Sequence, residues 1–138
     1  MTRINVIPVE ELSDQHLIAE YRELPRVLKQ NININDAPNT YKLGAGHVKW
    51  AKKHSKYVEI RFVQLVKEMQ HRGFQTNFTN THNIHNNNGD NYQITELDIQ
   101  TNKQRIIEKL NKKPTFYRWT NREIPEWANA IIRHQSSC

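Results

Sequence analysis

The sequence predicts a small all-α domain. Apolar residues recur at helical spacing in three separate stretches, each stretch carries a start or stop signal, and the intervening segments are Asn-rich and lack that period. With 138 residues the chain is long enough for one domain, 1–138, with a modest core.

The first helix is expected to start at Ser13 or Asp14, either a good N-cap, and to run to about Lys29. Leu17, Tyr21, Leu24 and Leu28 fall four, three and four apart and make one buried stripe, with Arg22 and Arg26 on another face beside Gln15 and Ala19. Pro25 removes a backbone donor, so the helix either kinks around a shaped site or ends there. A second helix is expected from about Lys56 to Arg72, with Val58, Phe62, Leu65, Val66 and Met69 inward and Gly73 as the left-handed residue after its end. A third covers about Asp98 to Lys112, with Ile99, Ile106, Ile107 and Leu110 inward and Pro114 as the stop. Long irregular loops fill residues 30–42 and 75–95. After Lys112 the tail interleaves Phe116, Tyr117, Arg118, Trp119, Arg122 and Trp127, a mixture that suits base stacking and core covering equally.

Composition narrows the partners. The chain is 36% apolar and 25% charged, with a net charge of +6, a pI of about 9.6 and a mean hydropathy of −0.87. A polyanionic partner follows, nucleic acid ahead of membrane, although a solvated basic surface has the same composition. The only cysteine is Cys138, which excludes an intrachain disulfide or a Cys-based zinc cluster and fits a reducing compartment. Arg3, Glu10, Glu11 and Asp14 interrupt residues 2–14, so no secretory signal is expected there, and no stretch reaches the length of a membrane span. The expectation is a soluble intracellular protein, a monomer, without membrane contact.

Four features could carry chemistry. Thr2 is small enough for Met1 to be removed, exposing an α-amine whose reference pKa of about 7.7–8.0 is far closer to neutrality than that of lysine. Arg3, Arg22 and Arg26 would disfavour its ammonium form further, but most N-terminal threonines do nothing. Second, Glu23 between Arg22 and Arg26 suits a reaction that develops positive charge on a sugar while arginines hold phosphates. A surface salt-bridge helix, with Glu20 and Glu23 as partners, explains the same spacing. Third, His82 and His85 are three apart, as in a metal site or a nuclease, yet no further ligands stand in register. Fourth, Leu43-Gly44-Ala45-Gly46-His47 is half a phosphate-binding loop at most and reads better as a tight turn packed on a helix.

Three blocks, Met1-Thr2-Arg3-Ile4-Asn5, Asp14-Gln15-His16-Leu17 and Ala19-Glu20-Tyr21-Arg22-Glu23-Leu24-Pro25-Arg26, closely resemble pyrimidine-dimer DNA glycosylases of the T-even phage and algal-virus endonuclease V type. Shorter matches are Leu43-Gly44-Ala45-Gly46-His47-Val48, Arg72-Gly73-Phe74 and Lys113-Pro114-Thr115-Phe116-Tyr117. The resemblance implies a compact all-α domain with its N-terminal segment threaded between helices. It implies cleavage of the glycosidic bond of the 5′ pyrimidine in a cyclobutane dimer, without metal or cofactor, then nicking by β-elimination through an imine at C1′. Thr2 would supply the amine and Glu23 would sit beside the sugar. Arg3, Arg22 and Arg26 would hold phosphates, and Gln15 and His16 would line the site. The partner would be double-stranded DNA containing pyrimidine dimers or abasic sites, kinked so that the base opposite the lesion turns out.

The chain departs from the family in a shorter segment 29–42, in 75–97, and in the tail after Tyr117. Lesion range therefore stays open between strict dimer recognition and additional removal of ring-opened purines. Two rivals also stay open: a non-catalytic DNA-binding module of the same fold, and a metal-dependent nuclease built on His82 and His85.

Overall fold

The computed structural model describes residues 4–79 and 89–136, with side chains as far as residue 131. Among them the elements are helical: α1 (Asp14–Lys29), α2 (His47–Lys53), α3 (Ser55–His71), α4 (Glu96–Lys112) and α5 (Glu126–Ser136), with a short 3-10 turn at Val9–Glu11 before α1. The three expected helices are α1, α3 and α4. Helices α2 and α5 lie where a turn and an irregular tail were expected.

Local chemistry sets the ends. Ser13 caps α1 by accepting the His16 N–H at 3.1 Å. Helix α3 closes with the Phe74 N–H on the Met69 carbonyl and the Gly73 N–H on the Gln70 carbonyl, and Gly73 has φ 84° as that paired geometry requires. Thr95 and Asp98 form a reciprocal capping box at the start of α4. Helix α1 does not end at Pro25. It continues to Lys29, and the last turn is held by Leu24, Val27 and Leu28, all fully buried. Burial of each such leucine is worth roughly 1.5–3 kcal/mol, comparable to the cost of the proline.

The stripes of α1 and α3 pack on each other and on Trp50 of α2. On α4, Ile106 and Leu110 face the core, whereas Ile107 is only half-buried. The tail divides. Trp119 is buried and donates from Nε1 to the Glu11 carbonyl, and Trp127 on α5 donates to the Glu11 carboxylate at 2.7 Å. Both tryptophans cover the core.

Residues 4–7 thread through this bundle, and side chains rather than a β-ladder satisfy their backbone. Ile4 donates its N–H to His47 Nε2 on α2, and Val6 and Ile7 both donate to Asn102 Oδ1 on α4. Tyr41 Oη donates to the Ile4 carbonyl, and Arg61 on α3 donates to that of Ile7. All four threaded residues are at most 4% exposed.

Two ionic clusters tie the layers together. Glu20 was a candidate for surface pairing; it is instead buried at 1% exposure, gripped by Arg61 and by Asn5 Nδ2. Its position three residues after Leu17 and four before Leu24 puts it in the apolar stripe, which explains the difference. In the second cluster, Arg72 bonds Glu68 at 2.8 Å and Asp14 at 2.9 Å, while Arg122 bonds Glu68 from the tail. Burial by itself would raise the Glu68 pKa, but the Arg122 and Arg72 hydrogen bonds outweigh it and hold the carboxyl below its usual range.

Candidate DNA-binding and catalytic face

One face of α1 gathers the residues singled out in the sequence. Gln15, His16, Ala19, Arg22, Glu23 and Arg26 recur three or four apart, so they form a continuous stripe on the side away from Leu17, Tyr21, Leu24 and Leu28. Arg22 and Arg26 are exposed, and Arg26 also bonds Glu23 at 3.1 Å. The Glu23 side chain is 26% exposed against 72% for Arg26, so the carboxylate lies recessed beneath a cationic rim. The Glu23–Arg26 contact is the salt bridge that spacing alone suggested; being exposed, it is worth little to stability.

The loop that follows α4 extends this face. Gln15 donates from Nε2 to the Phe116 carbonyl and accepts the Arg118 N–H at Oε1, so one amide fixes both ends of the Phe116–Arg118 turn. The Tyr117 ring stacks on His16 with centroids 4.9 Å apart and planes 9° from parallel. Phe116 is 52% exposed, with the Lys113 ammonium over its ring. A cavity of about 250 Å³ opens between this loop and the two helices, lined by Asn5, Gln15, His16, Arg105, Lys109 and Tyr117. Burial, and after it the Lys109 charge, pushes the His16 pKa down to about 4, so the imidazole is neutral near pH 7. Arg105 Nε is buried at this cavity and finds no acceptor among the described residues.

The face therefore combines a recessed carboxylate, a rim of arginines, further cations and an aromatic ledge. That combination suits a polyanion whose sugar must approach Glu23 while its phosphates meet Arg22 and Arg26.

Thr2 and Arg3 lie outside the described residues, as do His82 and His85. Gln15, His16, Arg22, Glu23 and Arg26 come together. The Gly44-Ala45-Gly46-His47 turn is tight, with Gly44 at φ 73° and Gly46 at φ 91°. At Gly46 it packs against the 30–42 loop, where an added Cβ would meet Pro38 Cγ at 3.1 Å. It also opens α2, a role its two glycines concealed.

Sequence reasoning missed three residues that hold the threaded segment, Tyr41, Arg61 and Asn102, and met His47 only as the end of the glycine turn. A signal for two of them was present. Asn102 sits between Ile99 and Ile106, and Arg61 between Val58 and Leu65, at three- and four-residue spacing. A polar residue in an apolar register has a buried partner to satisfy.

Among the described residues no helix is long and apolar enough to cross a membrane. Residues 1–81, more than half of the chain, match the family model described as pyrimidine dimer DNA glycosylase, and the protein belongs to that family.

Proposed function

We propose that residues 1–138 act as one repair domain, a monomer that cleaves the glycosidic bond of the 5′ pyrimidine in a cyclobutane dimer, leaving that base joined to its 3′ neighbour through the cyclobutane ring, and then nicks the strand. The nucleophile is the Thr2 α-amine, freed by loss of Met1. Its lone pair attacks C1′, and the glycosidic electron pair leaves with the pyrimidine nitrogen. The Glu23 carboxylate stabilises the cationic sugar during this exchange, while Arg3, Arg22 and Arg26 hold flanking phosphates and Gln15 and His16 line the site. Ring opening gives an imine between the amine and C1′. Loss of a C2′ proton then expels the 3′ phosphate, and water hydrolyses the imine to release the amine. None of these steps requires a metal or cofactor. Duplex DNA carrying dimers or abasic sites is the partner, inside the cell.

The observation that carries this reading is the hydrogen bond of Asn5 Nδ2 to Glu20 Oε1 at 2.8 Å. It anchors the chain one helical turn before Glu23. Three extended residues reach about 10 Å, and Glu20 to Glu23 is an axial step of about 4.5 Å. A span of that size would allow the Thr2 amine to meet a sugar held at Glu23, and this supports the reading.

Borohydride trapping on an abasic-site duplex tests it. A reduced adduct should form, and peptide mapping should place it on Thr2. An adduct on a lysine would sink the amine assignment. Tight duplex binding without any adduct would leave a DNA-binding module instead.

A further inference from the structure

The two peptide groups that flank the Ile4 Cα are each gripped by a side chain of one neighbourhood. The Ile4 N–H donates to His47 Nε2 at 3.0 Å, and the Ile4 carbonyl accepts from Tyr41 Oη at 2.8 Å. His47 Nδ1 lies 2.8 Å from the Lys42 carbonyl, which can only accept, so the ring proton sits on Nδ1 and Nε2 is a bare acceptor. Gly46, in the left-handed conformation, starts α2 and makes His47 its first residue. The Tyr41 ring meets the imidazole edge-on, with centroids 5.8 Å apart. Both side chains are buried, at 3% and 7% exposure. The glycine turn therefore presents its histidine to the protein's own N-terminal segment and not to a phosphate.

We propose that His47, together with Tyr41, is a positioning residue for the α-amine: by fixing the two peptide groups on either side of the Ile4 Cα, the pair sets where the chain end two residues earlier can point. This rests on the reading of Thr2 as nucleophile and assigns the Gly44–His47 turn a part in catalysis. The threaded segment has no ladder to set its register, so these two bonds supply it at the end nearest the reacting atom. Misplacement of a reacting group by about 1 Å can cost on the order of 100-fold in rate.

Two isosteric replacements separate positioning from packing. His47→Gln keeps an acceptor near the Nε2 position. His47→Asn keeps a donor near Nδ1 for the Lys42 carbonyl but offers Ile4 nothing. Each is assayed by single-turnover cleavage of a dimer-containing duplex, with duplex affinity and folded fraction measured alongside. Wild type is trapped with borohydride in parallel and its adduct mapped. His47→Asn should slow chemistry per folded molecule by on the order of 100-fold, with affinity changed by less than about threefold, and His47→Gln should recover about tenfold or more of that loss. Tyr41→Phe, which keeps the ring and removes the bond to the Ile4 carbonyl, should slow chemistry in the same sense and carries the test if His47→Asn does not fold. Equal rates for the Asn and Gln variants, or losses that merely track folded fraction or affinity, would overturn the proposal while a wild-type adduct on Thr2 kept the mechanism. A wild-type adduct on lysine would remove both.

Discussion

Arg61 holds the Glu20 carboxylate through Nε and a terminal nitrogen while its other terminal nitrogen binds the Ile7 carbonyl, so one buried guanidinium joins α1, α3 and the threaded segment. Burial opposes the Arg61 charge, but the adjacent Glu20 more than compensates and its pKa is raised. Truncating one partner strands the other charge in the core. Glu20→Ala and Arg61→Ala should each cost about 3–5 kcal/mol in urea unfolding, the range for breaking a buried pair. A loss below about 1 kcal/mol would mean that water reaches the pair.

Glu23 should matter to chemistry far more than to binding, because its charge acts mainly as the sugar becomes cationic. Glu23→Gln preserves shape and removes charge. It should bind dimer-containing duplex at least as well as wild type, while single-turnover cleavage falls well beyond tenfold. Activity surviving within about tenfold, only ~1.4 kcal/mol of barrier, would falsify the role.

Arg22 and Arg26 make a quantitative demand on salt dependence. Each lost phosphate contact should flatten the slope of log K against log salt by roughly 0.9. Arg22→Gln and Arg26→Gln should each show this, whereas Lys67→Gln on the exposed side of α3 should leave the slope near wild type. The reverse pattern would move the DNA to another face.

Acid should weaken the fold in two stages. His16 has a folded pKa of about 4 against an ordinary value of 6.5. Between those values the unfolded chain binds a proton that the folded chain refuses. Stability from His16 is complete above pH 6.5 and falls as pH drops toward 4, by at most about 1.4 kcal/mol per unit. Glu68, held below its usual 4.5, contributes stability above that value and loses it at lower pH. Urea unfolding near pH 7 and near pH 5 should show a drop that His16→Gln largely removes. An unchanged drop in that variant would assign it to another group.

Much of this was legible in the chain. Ser13, Gly73 and the leucine stripes announced α1 and α3 because caps and apolar period act locally. The face of α1 was legible for the same reason, since Gln15, Arg22 and Arg26 lie within one helix. Helix α2 was hidden because seven residues give less than two full apolar repeats and its first residue follows two glycines. Glu20 read as a surface partner, and Asn102 went unremarked, because a sequence does not display partners 41 and 96 residues away. Phe116 and Tyr117 could not be told from Trp119 by composition; the Gln15 amide and the His16 ring separate them.

Asn102 has a consequence for the order in which the molecule is made. The bonds it accepts from Val6 and Ile7 close loops of 96 and 95 residues, so the threaded segment is not fully satisfied until α4 has been made. Contacts of such separation form late, after local helices have condensed. A nascent or truncated chain ending before residue 102 would possess the arginine-bearing helix, with His47, Tyr41, Glu20 and Arg61 in place but the Val6 and Ile7 donors left without their acceptor.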